Sequence, residues 1–179
     1  MERLSTDDKT AFAPTLSGMI VLLVGAAAFV LITGSNLPPL VASHFGIGGA
    51  VDGFMSRNAY LAFMLIGVIA IPLLIVVPQR LVRAISPRLI NVPNRDYWLA
   101  PERLESTLDY LRNHAVWFAA LLVGFMCFVH WEVVQANLRR PVRLVAEPFF
   151  VGVVVYVASV LVWIGAMVAH FRRPPDEGR

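Results

Sequence analysis

The chain has 179 residues, of which 58% are hydrophobic and 15% are charged, and its mean hydropathy is +0.68. This composition excludes an ordinary soluble domain and indicates a protein whose solvent is lipid. The net charge of +3 does not indicate nucleic-acid binding, because most arginines flank apolar stretches instead of forming a patch with interleaved aromatics.

Four apolar stretches follow one another along the chain. Each is close to the roughly 20 residues that cross about 30 Å of hydrocarbon, where every backbone polar group must bond within a helix. The sequence therefore predicts an all-α integral membrane protein, residues 1–179 forming a single membrane domain. The four predicted transmembrane helices cover residues 15–34, 59–78, 115–131 and 149–169.

The first stretch is expected to stay in the protein as a membrane helix. Asp7 and Asp8 precede it and no small-x-small cleavage site follows Ile32, which is unlike a cleaved signal peptide. Eleven Lys and Arg residues lie in the N-terminal segment, the loop 79–114 and the tail, against four in the other two loops. The positive-inside rule then predicts that both termini and the loop 79–114 are cytoplasmic.

The outer loop, residues 35–58, is rich in proline and glycine. Glycine permits tight or left-handed turns, and Asp52-Gly53 is a strong turn signal. We therefore expect a compact loop that folds against the helix ends. In the second span, Pro72 predicts a kink and Pro78 is expected to end the helix.

The cytoplasmic loop is expected to end in a short interfacial helix over residues 101–114, which runs into the third span. Pro101 suits the first helical position, and Glu102 lies in the first turn. An ordinary pre-membrane helix and a partner-binding helix both fit this pattern. On the fourth span, Gly152 and Ser159 recur at the seven-residue spacing that Gly18 and Gly25 show on the first, which predicts a packing seam between these helices; a substrate path is the alternative.

Two loop motifs resemble a bacterial membrane family of unknown function that includes the N-terminal part of SdpI-type immunity proteins. Ala42 departs from the outer-loop pattern, where the family usually has a second proline. The resemblance implies a shared fold and a similar outer loop, and longer members carry a further membrane domain. The matching residues are Leu37, Pro38, His44, Phe45, Gly49, Asp52 and Gly53 in the outer loop, and Pro93, Asn94, Tyr97, Trp98, Pro101, Glu102 and Arg103 in the inner loop.

Four ionisable residues form the candidate site on the outer face: His44, Asp52, His130 and Glu132. Together they suggest a divalent metal such as zinc, or a proton relay. Because His130 and Glu132 are two residues apart, a helix would point them to roughly opposite sides. The alternative is an interfacial histidine, with Glu132 either reaching to water or pairing with Arg139 or Arg143. We therefore predict no cofactor and no firm metal site.

Enzymatic chemistry has no motif in this chain, since no hydrolase elbow, phosphate-binding glycine loop, HExxH or haem-attachment pattern occurs. The leading hypothesis is a non-enzymatic protein of the bacterial inner membrane. Its outer loop would serve immunity or signal sensing, while its basic inner loop contacts a protein partner. A small transporter component and an accessory subunit of a larger membrane complex are the alternatives.

Overall fold

The computed structural model describes residues 16–81 and 90–172. Four helical runs are long and apolar enough to cross a membrane, which confirms the predicted all-α membrane class and makes this a multi-pass membrane protein. The elements are α1 (Leu16–Gly34), β1 (Leu40–Phe45), β2 (Val51–Ser56), α2 (Arg57–Leu65), a π-helical segment (Ile66–Ala70), α3 (Ile71–Leu81), α4 (Arg95–Trp98), α5 (Leu104–Leu138) and α6 (Ala146–Arg172).

Part of the charge pattern lies outside the described residues. The N-terminal segment, the arginines at positions 83 and 88, and the tail after Arg172 fall in residues 1–15, 82–89 and 173–179. The orientation and the single-domain organisation therefore stay predictions. We call the end of the bundle that carries β1 and β2 the hairpin end, and the opposite end, which carries α4, the motif end.

The second span changes its hydrogen-bond spacing just before Pro72. Proline cannot donate a backbone bond, and the N–H of Ile71 reaches back five residues to the carbonyl of Ile66. The irregularity expected at Pro72 is thus a π-helical turn. The prediction that Pro78 ends the helix is wrong, because α3 continues to Leu81; a membrane helix tolerates the loss of one backbone bond near its end.

The third span and the predicted interfacial helix form one continuous helix, α5, of 35 residues. No proline interrupts it, and at 1.5 Å per residue it is about 52 Å long, well beyond the hydrocarbon thickness. The helix begins at Leu104, and Pro101 lies in a preceding turn instead of at the first helical position.

The core lies where α1, the second span and α5 meet. Its fully buried members include Val30 on α1, Val68 on the π-helical segment and Ala119 on α5. Helix α6 packs along α5, and no residue of its most hydrophobic window is buried. Such an apolar surface, outside the core, faces lipid.

The predicted seam between the first and fourth spans is wrong in its partner. A Cβ atom on Gly152 would collide with the ring of Phe128, so this glycine lets α6 approach α5 closely. A Cβ on Gly25 would meet nothing within 4 Å. Small residues therefore serve the α5–α6 contact, while Gly25 of α1 lies in open space.

The compact outer loop is a β-hairpin, which the sequence did not predict. β1 and β2 pair antiparallel from Leu40 with Ser56 to Phe45 with Val51. Two register shifts interrupt the ladder on either side of His44. The hairpin brings residues 44 and 52 together on its surface.

Candidate functional site

The base of the hairpin is fastened to the end of α1 by Arg57. Its guanidinium donates to the carbonyls of Ser35 and Leu37, each at 3.2 Å, and its backbone N–H donates to the carbonyl of Pro39 at 2.9 Å. These carbonyls follow the C-terminal end of a helix, where a cation is favourable. Leu37 is buried with 2% exposure, so this motif residue seals the junction.

A second attachment joins β1 to α5 through Asn137. Its side-chain amide accepts the N–H of Ala42 and donates to the carbonyl of the same residue, both at 2.9 Å. It also donates to the carbonyl of Val133 at 2.9 Å. Both Asn137 and Ala42 are buried, so the amide acts as a strand partner for a backbone that water cannot reach.

The hairpin tip is held by the loop between α5 and α6. The N–H of Leu144 donates to the carbonyl of Gly49 at 3.0 Å, and the guanidinium of Arg143 donates to the carbonyl of Gly48 at 3.2 and 2.9 Å. Gly49 has a φ of 75°, and a Cβ there would collide with the carbonyl of Leu144. The position therefore requires glycine for both its conformation and its contact.

His44 and Asp52 form a hydrogen-bonded pair across the two strands, between Nδ1 and Oδ1. Both side chains are exposed, at 76% and 50%, and the pair is ionic when the imidazole is protonated. A Cβ on Gly53 would lie 2.8 Å from the Cβ of His44. The glycine of the Asp-Gly motif thus makes room for the histidine on the opposite strand.

His130 lies apart from this pair, fully buried between α1, α2 and α5. Its Nε2 is 2.8 Å from Oγ1 of Thr33, and its Nδ1 is 2.9 Å from the hydroxyl of Tyr60. Because Thr33 donates its only hydroxyl proton to the carbonyl of Phe29 at 2.6 Å, it must accept from Nε2–H. Tyr60 then donates to Nδ1, and the neutral imidazole is satisfied on both sides.

Glu132 is buried as well, with 9% exposure. It makes no hydrogen bond or ion pair within the described part of the chain, so of the two alternatives for Glu132 the pairing with Arg139 or Arg143 does not form. Arg143 instead uses its guanidinium on the hairpin tip.

The structure therefore does not assemble the four predicted residues into one site. His44 and Asp52 meet at the surface, while His130 is bonded to Thr33 and Tyr60 inside the bundle. Across residues 16–81 and 90–172, no group of three or more His, Cys, Asp or Glu side chains is arranged to hold a metal ion. The helical periodicity that separates residues 130 and 132 accounts for part of this division.

The inner-loop motif caps the C-terminal end of α6. Asn94 has a φ of 52°, a conformation that asparagine tolerates better than most residues. Its side chain donates to the carbonyls of Phe171 and Arg172 at 3.0 and 3.2 Å, and the indole of Trp98 donates to Phe171 at 3.0 Å. Thr107 in turn donates to the carbonyl of Trp98 at 2.8 Å. Two motif residues thereby satisfy the last carbonyls of a helix.

The other motif residues surround this cap. The guanidinium of Arg103 lies over the ring of Tyr97, 4.0 Å from the ring centroid. Arg103 also forms an ion pair with Glu102 at 3.2 Å. Pro93 lines a cavity of about 490 Å³ between the loop, α5 and α6, whose walls include Trp163. The cavity is a feature of the motif end, on the far side of the bundle from the hairpin.

Sequence reasoning missed a ladder of five stacked rings that joins the motif to both long helices. Its successive ring centroids are 4.9, 3.7, 5.4 and 4.4 Å apart. The signal available in the sequence was a pair of ring side chains four residues apart on α5, together with a histidine near the end of α6. The rings belong, in order, to Trp98, His170, Tyr110, His114 and Trp163.

The comparison with protein families places a known domain over the hairpin. Residues 21–75 match a family model described as "Domain of unknown function (DUF1648)", so the chain contains this membrane-associated domain. The matched range covers most of α1, the hairpin and most of the second span. No curated protein and no solved structure gives a match to the chain.

Proposed function

We propose that the protein is a non-enzymatic recognition protein of the bacterial cytoplasmic membrane, in which the hairpin binds a ligand outside the cell in immunity or signal sensing. The observation that carries this proposal is the contrast between the fixed backbone of the hairpin and its open face. Arg57, Asn137 and Arg143 fasten the hairpin to the bundle at three points. A preorganised surface loses little entropy on binding.

The exposed face has the mixed character of a binding surface. Leu40 and Phe54 are 60% and 59% exposed, and they flank the pair of His44 and Asp52 on the same two strands. This pair lies in the open, where water competes for its charges, which suits recognition better than acid–base chemistry. The resemblance to the SdpI-type family adds immunity as the first activity to test.

The test is complementation of a deletion strain challenged with culture supernatants of competing bacteria. We expect His44→Ala and Asp52→Asn each to abolish protection while the melting temperature in detergent stays that of the wild type. Asn58→Ala, at an exposed position of α2, is the matched control. Full protection by both single variants would refute a role of this face.

The proposal also requires the hairpin to lie outside the cell. In a Cys127→Ser background, a cysteine replacing Ser56 at the end of β2 should react with an impermeant thiol reagent in intact cells, and one replacing Ser106 should not. Both positions are exposed. Labelling in the reverse order would contradict the predicted orientation and the proposal with it.

An accessory subunit of a larger membrane complex is the second candidate, because α6 packs along α5 and leaves its apolar faces uncovered. A photo-crosslinking residue at Val162, which is 73% exposed, would test it against one at Leu74 of α3, which is 72% exposed. A protein adduct of defined mass formed from Val162 alone would favour the subunit role. Adducts with lipid alone at both positions would exclude it.

A further inference from the structure

The hairpin tip exposes an apolar side chain more completely than any other large hydrophobic residue in the described ranges. Ile47 is 96% exposed and stands between Gly46 and Gly48, which offer it no side-chain contact. An isoleucine facing water at a loop tip gains nothing for stability, whereas burial of its side chain elsewhere is favourable. Whether lipid, protein or water surrounds Ile47 depends on where the tip lies relative to the membrane.

The contacts of the tip place it at the level of the lipid headgroups. Gly49 is bonded to Leu144 and Ala50 pairs with Arg143, directly before α6 begins at Ala146. The 27 residues of α6 span about 40 Å, which matches a bilayer with its headgroup layers included. The hairpin is therefore folded down onto the membrane surface at its tip.

The loop that holds the tip is positively charged, while the carboxylate of Asp52, which lies close to Gly46, is already bonded to His44. The loop between α5 and α6 carries Arg139 and Arg143, both exposed. The guanidinium of Arg139 makes no hydrogen bond or ion pair within the described ranges, and that of Arg143 contacts only the carbonyl of Gly48 there. Neither guanidinium is neutralised by a described carboxylate, so both are available to the phosphates of the headgroup layer.

We propose that the hairpin tip and the α5–α6 loop form a docking surface for anionic phospholipid. Ile47 enters the boundary between headgroups and acyl chains, while Arg139 and Arg143 bind lipid phosphates around it. The surface continues the lipid-facing side of α6, where Phe150 and Val151 are 56% and 63% exposed. It does not depend on the hairpin recognising a ligand.

The experiment uses the full chain in vesicles of phosphatidylcholine alone or mixed with phosphatidylglycerol. Ile47→Cys in the Cys127→Ser background is labelled with an environment-sensitive fluorophore, and Asn58→Cys on α2 serves as the matched label position. We expect nitroxide lipid to quench the label at position 47, and phosphatidylglycerol to increase this quenching. Adding Arg139→Gln should reduce the increase without lowering the melting temperature, since its guanidinium has no described partner to lose.

Three outcomes would overturn the proposal. A label at position 47 that is quenched by aqueous acrylamide and not by nitroxide lipid would place the tip in water. A label protected from both quenchers would indicate a contact with protein, including a second copy of the chain. Quenching by nitroxide lipid that is equal in the two vesicle types, and unchanged by Arg139→Gln, would remove the phosphate contact.

Discussion

Replacing Asn137 by alanine should loosen the hairpin while leaving the helices in place. The change removes three hydrogen bonds of 2.9 Å and leaves the N–H and C=O of Ala42 without partners. Ala42 is 2% exposed, and a buried polar group left unsatisfied costs about 1–3 kcal/mol. With two such groups, and some relaxation of the strand after the change, we expect a loss of about 2–4 kcal/mol. This corresponds to a roughly 30- to 900-fold shift in the opening equilibrium of the hairpin.

Hydrogen exchange in detergent or nanodiscs measures this opening directly. The amides of β1 should exchange faster in Asn137→Ala, whereas those in the middle of α5 should keep their protection. Asn58→Ala, which changes an exposed asparagine, is the control and should exchange as the wild type does. Unchanged exchange of β1 would show that the bond between Asn137 and Ala42 does not hold the hairpin, and the three-point attachment would be wrong.

Three further substitutions test the interior and the motif end by melting temperature in detergent. His130→Phe should lower the free energy of unfolding by about 1–3 kcal/mol, because it leaves the buried hydroxyl of Tyr60 without a hydrogen-bond partner. Tyr60→Phe in the same chain should recover part of this loss, and no recovery would contradict the assigned hydrogen bond. Gly152→Leu should lower the free energy of unfolding by about 1–3 kcal/mol, because the added side chain overpacks the contact with α5. Phe128→Ala should restore part of this stability, and an unchanged melting temperature in Gly152→Leu would count against the close α5–α6 contact. Trp98→Phe keeps an aromatic ring but loses the hydrogen bond to the last turn of α6, so we expect the free energy of unfolding to fall by about 0.5–1.5 kcal/mol. An unchanged melting temperature would show that the indole does not stabilise this helix end.

The four membrane-crossing helices could be predicted because each depends on a long local run of apolar residues. Their bounds were less accessible. The polar turns before His114 continue into the third span without a break, since no proline separates them. The helix past Pro78 also escaped prediction, because membrane helices keep their hydrogen-bonded form where a soluble helix would stop.

The hairpin was hidden by its own irregularity. Six-residue strands give little alternation, and the register shifts beside His44 disturb what there is. The partners of His130 lie 97 and 70 residues away in the chain, so no local spacing could indicate them. Likewise, the spacing of Gly152 marked a face for close packing but carried no information on which helix would meet it.

The two motif-bearing loops have a shared mechanical effect on α6. The hairpin tip is hydrogen-bonded to the residues just before this helix, and Asn94 and Trp98 donate hydrogen bonds to its last carbonyls. The membrane-crossing helix that contributes least to the core is therefore about 40 Å long and is held at both ends by segments far apart in the chain. Loss of either attachment would leave α6 held at one end only, so that its tilt in the membrane would be set by lipid and by α5 alone.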